Sequence, residues 1–194
     1  MGSKLVLPKL IPAVRQMERW DIVLAHPHLD TVFFLGGSIG TVGEPVARLQ
    51  KAGRRVFIHV DMLRGLNPDA DGMQFLAEFV GPDGIITTHS STVQHARRAG
   101  LVTVQRLFLL DSQSLTHGVA QIQSSKPHAV EVLPGVIPRA VRTIARQVEC
   151  PVIAGGLIVE DAQVREMLQS GAASVSTSRE ALWGTNWGEG AENG

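Results

Sequence analysis

Short apolar runs alternate along the chain with amphipathic segments. Each run has the length of a single strand and is rich in β-branched and aliphatic residues. Near-continuous apolar character of this kind is typical of strands that are buried on both faces. Eight strands are therefore predicted, at residues 10–14, 31–35, 56–60, 84–88, 102–107, 129–133, 151–154 and 173–177.

The segments between these runs have the spacing of amphipathic helices. In the first of them, Met17, Trp20 and Leu24 recur at helical spacing, although residues 21–25 could instead form a strand. Elsewhere Gly53, Gly100 and Gly171 follow the amphipathic pattern closely, as glycines at helix ends commonly do. Helices are predicted at residues 16–25, 42–52, 73–80, 91–99, 114–123, 138–148, 161–169 and 179–182.

The strict alternation of strands and helices predicts the fold. Alternating strands and helices build a parallel sheet, and eight such units favour a closed (β/α)₈ TIM-like barrel. The alternative is a doubly wound open sheet, but no G-x-G-x-x-G motif follows any predicted strand. We expect one α/β domain over residues 1–183. The segment 184–194, rich in Gly, Glu and Asn, is expected to be a flexible C-terminal tail.

Composition narrows the class of protein. The chain has 194 residues, 44% hydrophobic and 19% charged, a balance that excludes wholesale disorder. Lys plus Arg and Asp plus Glu both number 18, so the net charge is zero. A protein that bound nucleic acid through bulk charge would be more basic. The absence of Tyr and an aromatic content of 5% also argue against an aromatic platform for stacking bases.

The single cysteine, Cys150, excludes an internal disulfide and a zinc site with several cysteines. Its isolation fits a reducing, cytoplasmic location. The chain opens without the basic and apolar regions of a signal peptide, and it contains no apolar stretch long enough to span a bilayer. We therefore expect no membrane partner.

Two motifs at the ends of the last predicted strands point to phosphate. In a (β/α)₈ barrel the ligand site lies at the carboxyl ends of the strands, and the loops after strands 7 and 8 often bind phosphate. Here strand 7 ends in Gly155 and Gly156, whose bare backbone allows an anion to approach. Strand 8 ends in three hydroxyl residues, Ser176, Thr177 and Ser178. The alternative is that the glycines merely turn the chain and that Ser178 caps the last helix.

Four polar residues of strands 3, 5 and 6 complete the predicted mouth. His59 and Asp61 stand two apart and so would share one side of strand 3, while Arg106 and Glu131 lie on neighbouring strands. We expect them to bind hydroxyl groups of a small phosphorylated ligand. An internal ion pair that neutralises buried charge is the alternative. No pattern here has the spacing of a metal site, and no strand ends in a Lys that could form a Schiff base.

Arg139, Arg142 and Arg146 recur at helical spacing and so lie on one face of the predicted helix 138–148. A row of this kind is either an ordinary solvated helix face or a local surface for RNA phosphates.

In their order along the chain, several motifs resemble the glycerol-3-phosphate-responsive antiterminator family. They are QRLFLLDS at 105–112, EVLPG at 131–135, AGGL at 154–157 and STS at 176–178, with FIHVDMLRGL at 57–66 and TTHSS at 87–91. The resemblance extends from about residue 10 to residue 183. In this chain His89 stands where many relatives carry a Lys.

The resemblance implies a regulator of glycerol catabolism. Such proteins bind the leader mRNA of glycerol-utilisation genes when glycerol 3-phosphate is present, and binding prevents premature termination of transcription. It implies no catalytic residues and no cofactor other than the effector, glycerol 3-phosphate. The residues alone leave two alternatives, which are an isomerase or lyase acting on a small phosphorylated metabolite and a sensor with a protein partner. They also leave the oligomeric state open, with a homo-oligomer as one option.

Overall fold

The computed structural model describes residues 5–187, except for the side chain of Met17. Its eight strands pair in parallel with their neighbours in chain order, and β8 pairs with β1. The predicted (β/α)₈ barrel is therefore confirmed. The strands are β1 Leu10–Val14, β2 Thr31–Phe34, β3 Arg55–His59, β4 Gly84–Thr87, β5 Val102–Phe108, β6 Ala129–Leu133, β7 Val152–Gly155 and β8 Ser174–Thr177.

Helices follow the strands, as the amphipathic spacing predicts. The first predicted helix is a 3₁₀ helix at Met17–Ala25 whose regular backbone is interrupted at Arg19, and it is not a strand. Short 3₁₀ turns also occur at Val60–Met62 and Glu180–Leu182, and a π turn at Leu76–Val80 extends the second α-helix. The α-helices are α1 Gly43–Lys51, α2 Ala70–Phe75, α3 Ser90–Arg98, α4 Ser112–Ser125, α5 Pro138–Gln147 and α6 Asp161–Gln169.

Strand residues alternate between the barrel interior and the helical layer. Apolar interior residues such as Phe33 and Phe57, whose ring centroids are 5.7 Å apart, fill the barrel. The intervening residues pack against the helices in a second, larger apolar cluster. No helix within residues 5–187 is long and apolar enough to cross a membrane.

On β5 and β6, the interior side chains change from apolar to polar toward the carboxyl ends of the strands. Val104 pairs in register with Ala129, and two residues later Arg106 pairs with Glu131. The same strand geometry that buries the first pair in the core therefore directs the second pair inward, nearer the carboxyl ends of the strands.

The packed part of the chain extends beyond the last strand. The Trp183 indole donates a hydrogen bond to the Thr177 carbonyl at 3.0 Å. Trp187, inside the segment expected to be a tail, is buried, and its indole donates to the Leu182 carbonyl at 3.2 Å. Residues 188–194 of that expected tail lie outside the described residues.

Candidate functional site

A cavity of about 430 Å³ opens at the carboxyl ends of the strands. It lies among the loops that follow β1, β7 and β8, and its floor includes polar residues of β5 and β6. Most of the predicted phosphate and hydroxyl ligands line this one space. They are Arg106, Glu131, Gly156, Ser176, Thr177 and Ser178.

Glu131 is the centre of the floor. Its Oε2 accepts a hydrogen bond from Arg106 Nε at 2.7 Å, and its Oε1 accepts one from Ser176 Oγ at 2.5 Å. The Arg106 and Glu131 side chains are only 8% and 2% exposed. The internal ion pair that the sequence left as an alternative is therefore present, and the same pair also lines the cavity.

Gly155 and Gly156 have different structural roles. A Cβ atom on Gly155 would lie 2.5 Å from Ser176 Oγ and 2.6 Å from Glu131 Oε1, so this glycine makes room for their hydrogen bond. Gly155 does not itself line the cavity, whereas Gly156 does. Gly156 has a φ of 78°, a conformation that favours glycine, and it packs beside Leu133.

The three hydroxyl residues at the carboxyl end of β8 differ in their hydrogen bonds. Ser176 is bonded to Glu131, as described. Thr177 Oγ1 donates to the Ile158 carbonyl at 2.8 Å and accepts from the Arg179 amide at 3.0 Å, so this hydroxyl ties two loops together. Ser178 is exposed and, within residues 5–187, its hydroxyl has no hydrogen-bond partner. Of the three, Ser178 has the hydroxyl that is free for a ligand.

Two arginines of the site escaped the sequence-based prediction. Arg15 directly follows β1, and Arg179 follows the Ser-Thr-Ser motif. Both line the cavity, both are exposed, and neither guanidinium has an ion-pair or hydrogen-bond partner among the described residues. With Arg106 and Glu131, the cavity lining contains three guanidinium groups and one carboxylate, and its formal charge is +2.

His59 and Asp61 do not line this cavity. Asp61 is not part of strand 3 as expected, because β3 ends at His59 and Asp61 lies in the following 3₁₀ turn. The Asp61 carboxylate accepts hydrogen bonds from the Thr87 hydroxyl at 2.7 Å and from the Thr88 amide at 2.7 Å. It therefore ties the end of β3 to the end of β4.

The environment changes the titration of both residues. Burial, with a smaller contribution from the charge of Arg106, lowers the pKa of His59 to about 4 against the opposing effect of Asp61. Burial raises the pKa of the Asp61 carboxyl, but the hydrogen bonds from Thr88 and Thr87 outweigh it and hold this pKa below its ordinary value. His59 is thus neutral and Asp61 ionised at neutral pH.

Arg139, Arg142 and Arg146 lie outside the cavity, exposed along α5. Val141 and Ile144 of the same helix are buried, so the arginines occupy its outer side, as the spacing predicts. Among the described residues, none of these three guanidinium groups has an ion-pair partner. No group of three or more His, Cys, Asp and Glu side chains within residues 5–187 is arranged to hold a metal ion.

Fold and cavity together define a small single-domain (β/α)₈ barrel with a cationic site at the carboxyl ends of its strands. The model of one family, described as glycerol-3-phosphate responsive antiterminators, matches residues 10–183. The chain belongs to this family, as the motifs at the strand ends predict.

Solved structures agree with this assignment. The glycerol uptake operon antiterminator regulatory protein of Listeria monocytogenes is 34% identical, with a TM-score of 0.83 over 92% of this chain and 98% of that one. An antiterminator-related protein of Thermotoga maritima is 31% identical, with a TM-score of 0.81 over 92% and 99% of the two chains. The Escherichia coli protein YgcP, whose function is uncharacterised, is 34% identical over 77% of this chain and 78% of its own. Decarboxylase, aldolase and epimerase barrels at 12–15% identity share the fold alone.

Proposed function

We propose that this protein is an antiterminator that binds the leader mRNA of glycerol-utilisation genes when glycerol 3-phosphate occupies the cavity. The observation that carries the proposal is the formal charge of +2 in the cavity of a chain from this family. A phosphate monoester carries about −1.5 to −2 at neutral pH, so the charges are complementary. The regulator would act in the cytoplasm, where its message is made.

The cavity offers separate places for the two ends of this ligand. Arg15, Arg179, Ser178 and the backbone at Gly156 surround the mouth and suit the phosphate, because charged donors and bare amides bind phosphate oxygens well. The Glu131 and Arg106 pair on the floor suits the glycerol hydroxyls, which can both donate and accept. His59 would then support the site from behind through its proximity to Arg106, and Asp61 through its proximity to His59.

A short packed segment connects the cavity to the proposed RNA surface. Leu133 lines the cavity, and α5 begins only five residues later at Pro138. Between them, the Gly135 amide donates to the Gly155 carbonyl at 2.6 Å, so this loop rests directly on the end of β7. A ligand that favours one arrangement of the loop after β7 would thereby favour one position of α5 and its row of arginines. Ligand binding can have this effect only by preferring the RNA-binding state.

The cavity is better suited to binding than to catalysis. Within the described residues it contains no Lys or His, and its one carboxylate, that of Glu131, already accepts a hydrogen bond on each oxygen. General acid–base catalysis needs a group free to exchange a proton with the substrate. Turnover of a triose phosphate that is lost in Glu131→Gln would nevertheless favour the enzyme alternative over the proposal.

A mobility-shift experiment on a leader transcript tests the function. We expect RNA binding by the full chain to require glycerol 3-phosphate and not to be supported by glycerol or inorganic phosphate alone. RNA binding that is equal with and without glycerol 3-phosphate would contradict the ligand-gated mechanism. Capture of a protein partner that survives ribonuclease, with no transcript bound, would favour the protein-sensor alternative.

The proposed RNA surface is tested separately. Replacing Arg139, Arg142 and Arg146 by Ala should weaken transcript binding and reduce its salt dependence by roughly one unit of slope for each phosphate that is no longer neutralised. Binding of glycerol 3-phosphate should be unchanged, because these residues lie outside the cavity. Lys51→Ala, on the exposed end of α1, is a matched control for removal of a surface cation.

A further inference from the structure

A second cavity lies at the opposite end of the barrel, between the carboxyl ends of α4 and α5. Its volume is about 280 Å³, which is large enough for one heterocyclic base. Ile122, Pro127 and Val148 give it an apolar lining. The polar side chains of Gln123, Lys126 and Glu149 line the same space, so a flat ring would find apolar contacts together with hydrogen-bonding groups.

Two cations lie at this cavity, Lys126 in its lining and Arg97 at its edge. Lys126 lines it and is exposed, and the Arg97 guanidinium at the end of α3 donates a hydrogen bond to the Lys126 carbonyl. Glu149 is the one acidic residue in the lining, where it balances Lys126, so Arg97 supplies the excess positive charge at the edge of the cavity. Arg146 directly precedes the lining residue Gln147 in the last turn of α5.

The backbone at Lys126 is unusual for a lysine. Its φ of 51° and ψ of 57° are left-handed, and the residue closes α4 with its amide bonded to the Ile122 carbonyl. Glycine or asparagine normally occupies such a position, because the Cβ atom of other residues crowds the backbone carbonyl there. The lysine side chain is kept at the cavity despite this strain.

We propose that this cavity receives one base of the single-stranded leader RNA, with the flanking phosphates on Lys126, Arg97 and Arg146. The proposal rests on the proposed function and extends its RNA surface, because Arg146, the last arginine of the row along α5, directly precedes the lining residue Gln147. Sequence-specific RNA recognition commonly takes unstacked bases into such pockets and reads their edges. An ammonium and a carboxylate together favour a base that presents both an acceptor and N–H donors, such as guanine or cytosine.

Substitution of Lys126 separates folding from binding. In the presence of glycerol 3-phosphate, Lys126→Gly should weaken transcript binding at least fivefold while its Tm stays the same or rises, because glycine suits the left-handed backbone. The Arg97 contact survives, since it uses the main-chain carbonyl. Lys126→Arg should restore most of the affinity, and Lys51→Ala should leave it unchanged. Transcript binding by Lys126→Gly at the wild-type affinity would overturn the proposal.

Cys150 provides a direct readout, because it lines this cavity and is the only cysteine of the chain. Bound transcript should slow the alkylation of Cys150 severalfold, whereas glycerol 3-phosphate alone should not. An unchanged alkylation rate with transcript bound overturns this proposal but leaves the proposed function intact. Failure of the wild-type protein to bind the transcript overturns both. Protection by polyglutamate but not by RNA would assign the cavity to an acidic protein segment and also overturn the proposal.

Discussion

The amide nitrogen of Gly135 lies 2.6 Å from the carbonyl oxygen of Gly155. This hydrogen bond joins the loop after β6 to the end of β7, and the two backbones touch at this point. A Cβ atom on Gly135 would lie 2.7 Å from the carbonyl carbon of Ala154, closer than such atoms approach. The path from the cavity floor to α5 therefore depends on a residue without a side chain.

Gly135→Ala should destabilise the protein and uncouple ligand from RNA. Overpacking of this kind costs about 1–3 kcal/mol, which chemical denaturation would measure as a lower free energy of unfolding. In the folded variant, glycerol 3-phosphate should still bind while its effect on transcript binding falls. Gly40→Ala is the control, because nothing lies within 4 Å of a Cβ placed there. Equal stability of the two variants would contradict the close packing.

The buried pair of Arg106 and Glu131 should show strong coupling. Removing one partner of a buried ion pair typically costs about 3–5 kcal/mol, because the other charge is left without a partner. Arg106→Met and Glu131→Gln should each destabilise the fold, and the double variant should lose much less than the sum of the two. The double-mutant cycle in denaturant measures this coupling. If the losses of the two single variants simply add in the double variant, Arg106 and Glu131 have no energetic coupling.

Stability should fall as the pH is lowered from 7 to 5. The unfolded state binds a proton at His59 near pH 6.5, whereas burial keeps the folded state neutral until about pH 4. The unfolded state therefore binds more protons in this window, and the expected loss is about 2 kcal/mol.

Urea denaturation of the wild type and His59→Gln at several pH values measures this dependence. The variant should lose most of the slope and keep a part from His128, whose pKa is also lowered, by burial and by Arg97. The same slope in both proteins would show that His59 is not the group responsible.

Arg179→Ala should weaken binding of glycerol 3-phosphate without changing the fold, because this side chain is exposed at the cavity mouth. The loss of charge-assisted hydrogen bonds of about 1.5–3 kcal/mol corresponds to roughly 10- to 100-fold weaker binding in calorimetry. Arg64→Ala is the matched control, since Arg64 is an exposed arginine after β3 that does not line the cavity. Equal losses in the two variants would indicate only a general effect of charge.

The barrel could be predicted because its strands are buried on both faces. Such strands are near-continuous apolar runs in the sequence. The alternation of these runs with amphipathic helices defines a parallel sheet. The first helix was harder to predict, since a 3₁₀ helix with an irregular Arg19 has no fixed apolar period. The predicted boundaries of most other elements differ from the structure by only a few residues.

The site was predictable for residues on the strands and for the Gly-Gly and Ser-Thr-Ser motifs at the ends of β7 and β8, but not for Arg15 and Arg179. Arg106 and Glu131 pair in register inside the barrel, so their positions in the strands determine their proximity. Asp61 was expected on the same side of strand 3 as His59, but β3 ends at His59 and a 3₁₀ turn that leaves no apolar pattern carries Asp61. Arg15 and Arg179 were missed because loop residues follow no periodicity, and only the closure of the barrel brings the loops after β1 and β8 together.

Trp183 has a spectroscopic consequence. The chain contains three Trp and no Tyr, so indole dominates its near-ultraviolet emission. Trp183 is hydrogen-bonded to the Thr177 carbonyl and lines a small pocket together with Arg15 and Ser178, which also line the main cavity. A phosphate arriving at Ser178 would change the electric field at this ring. The unlabelled protein thus contains its own fluorescent reporter for titration of the effector.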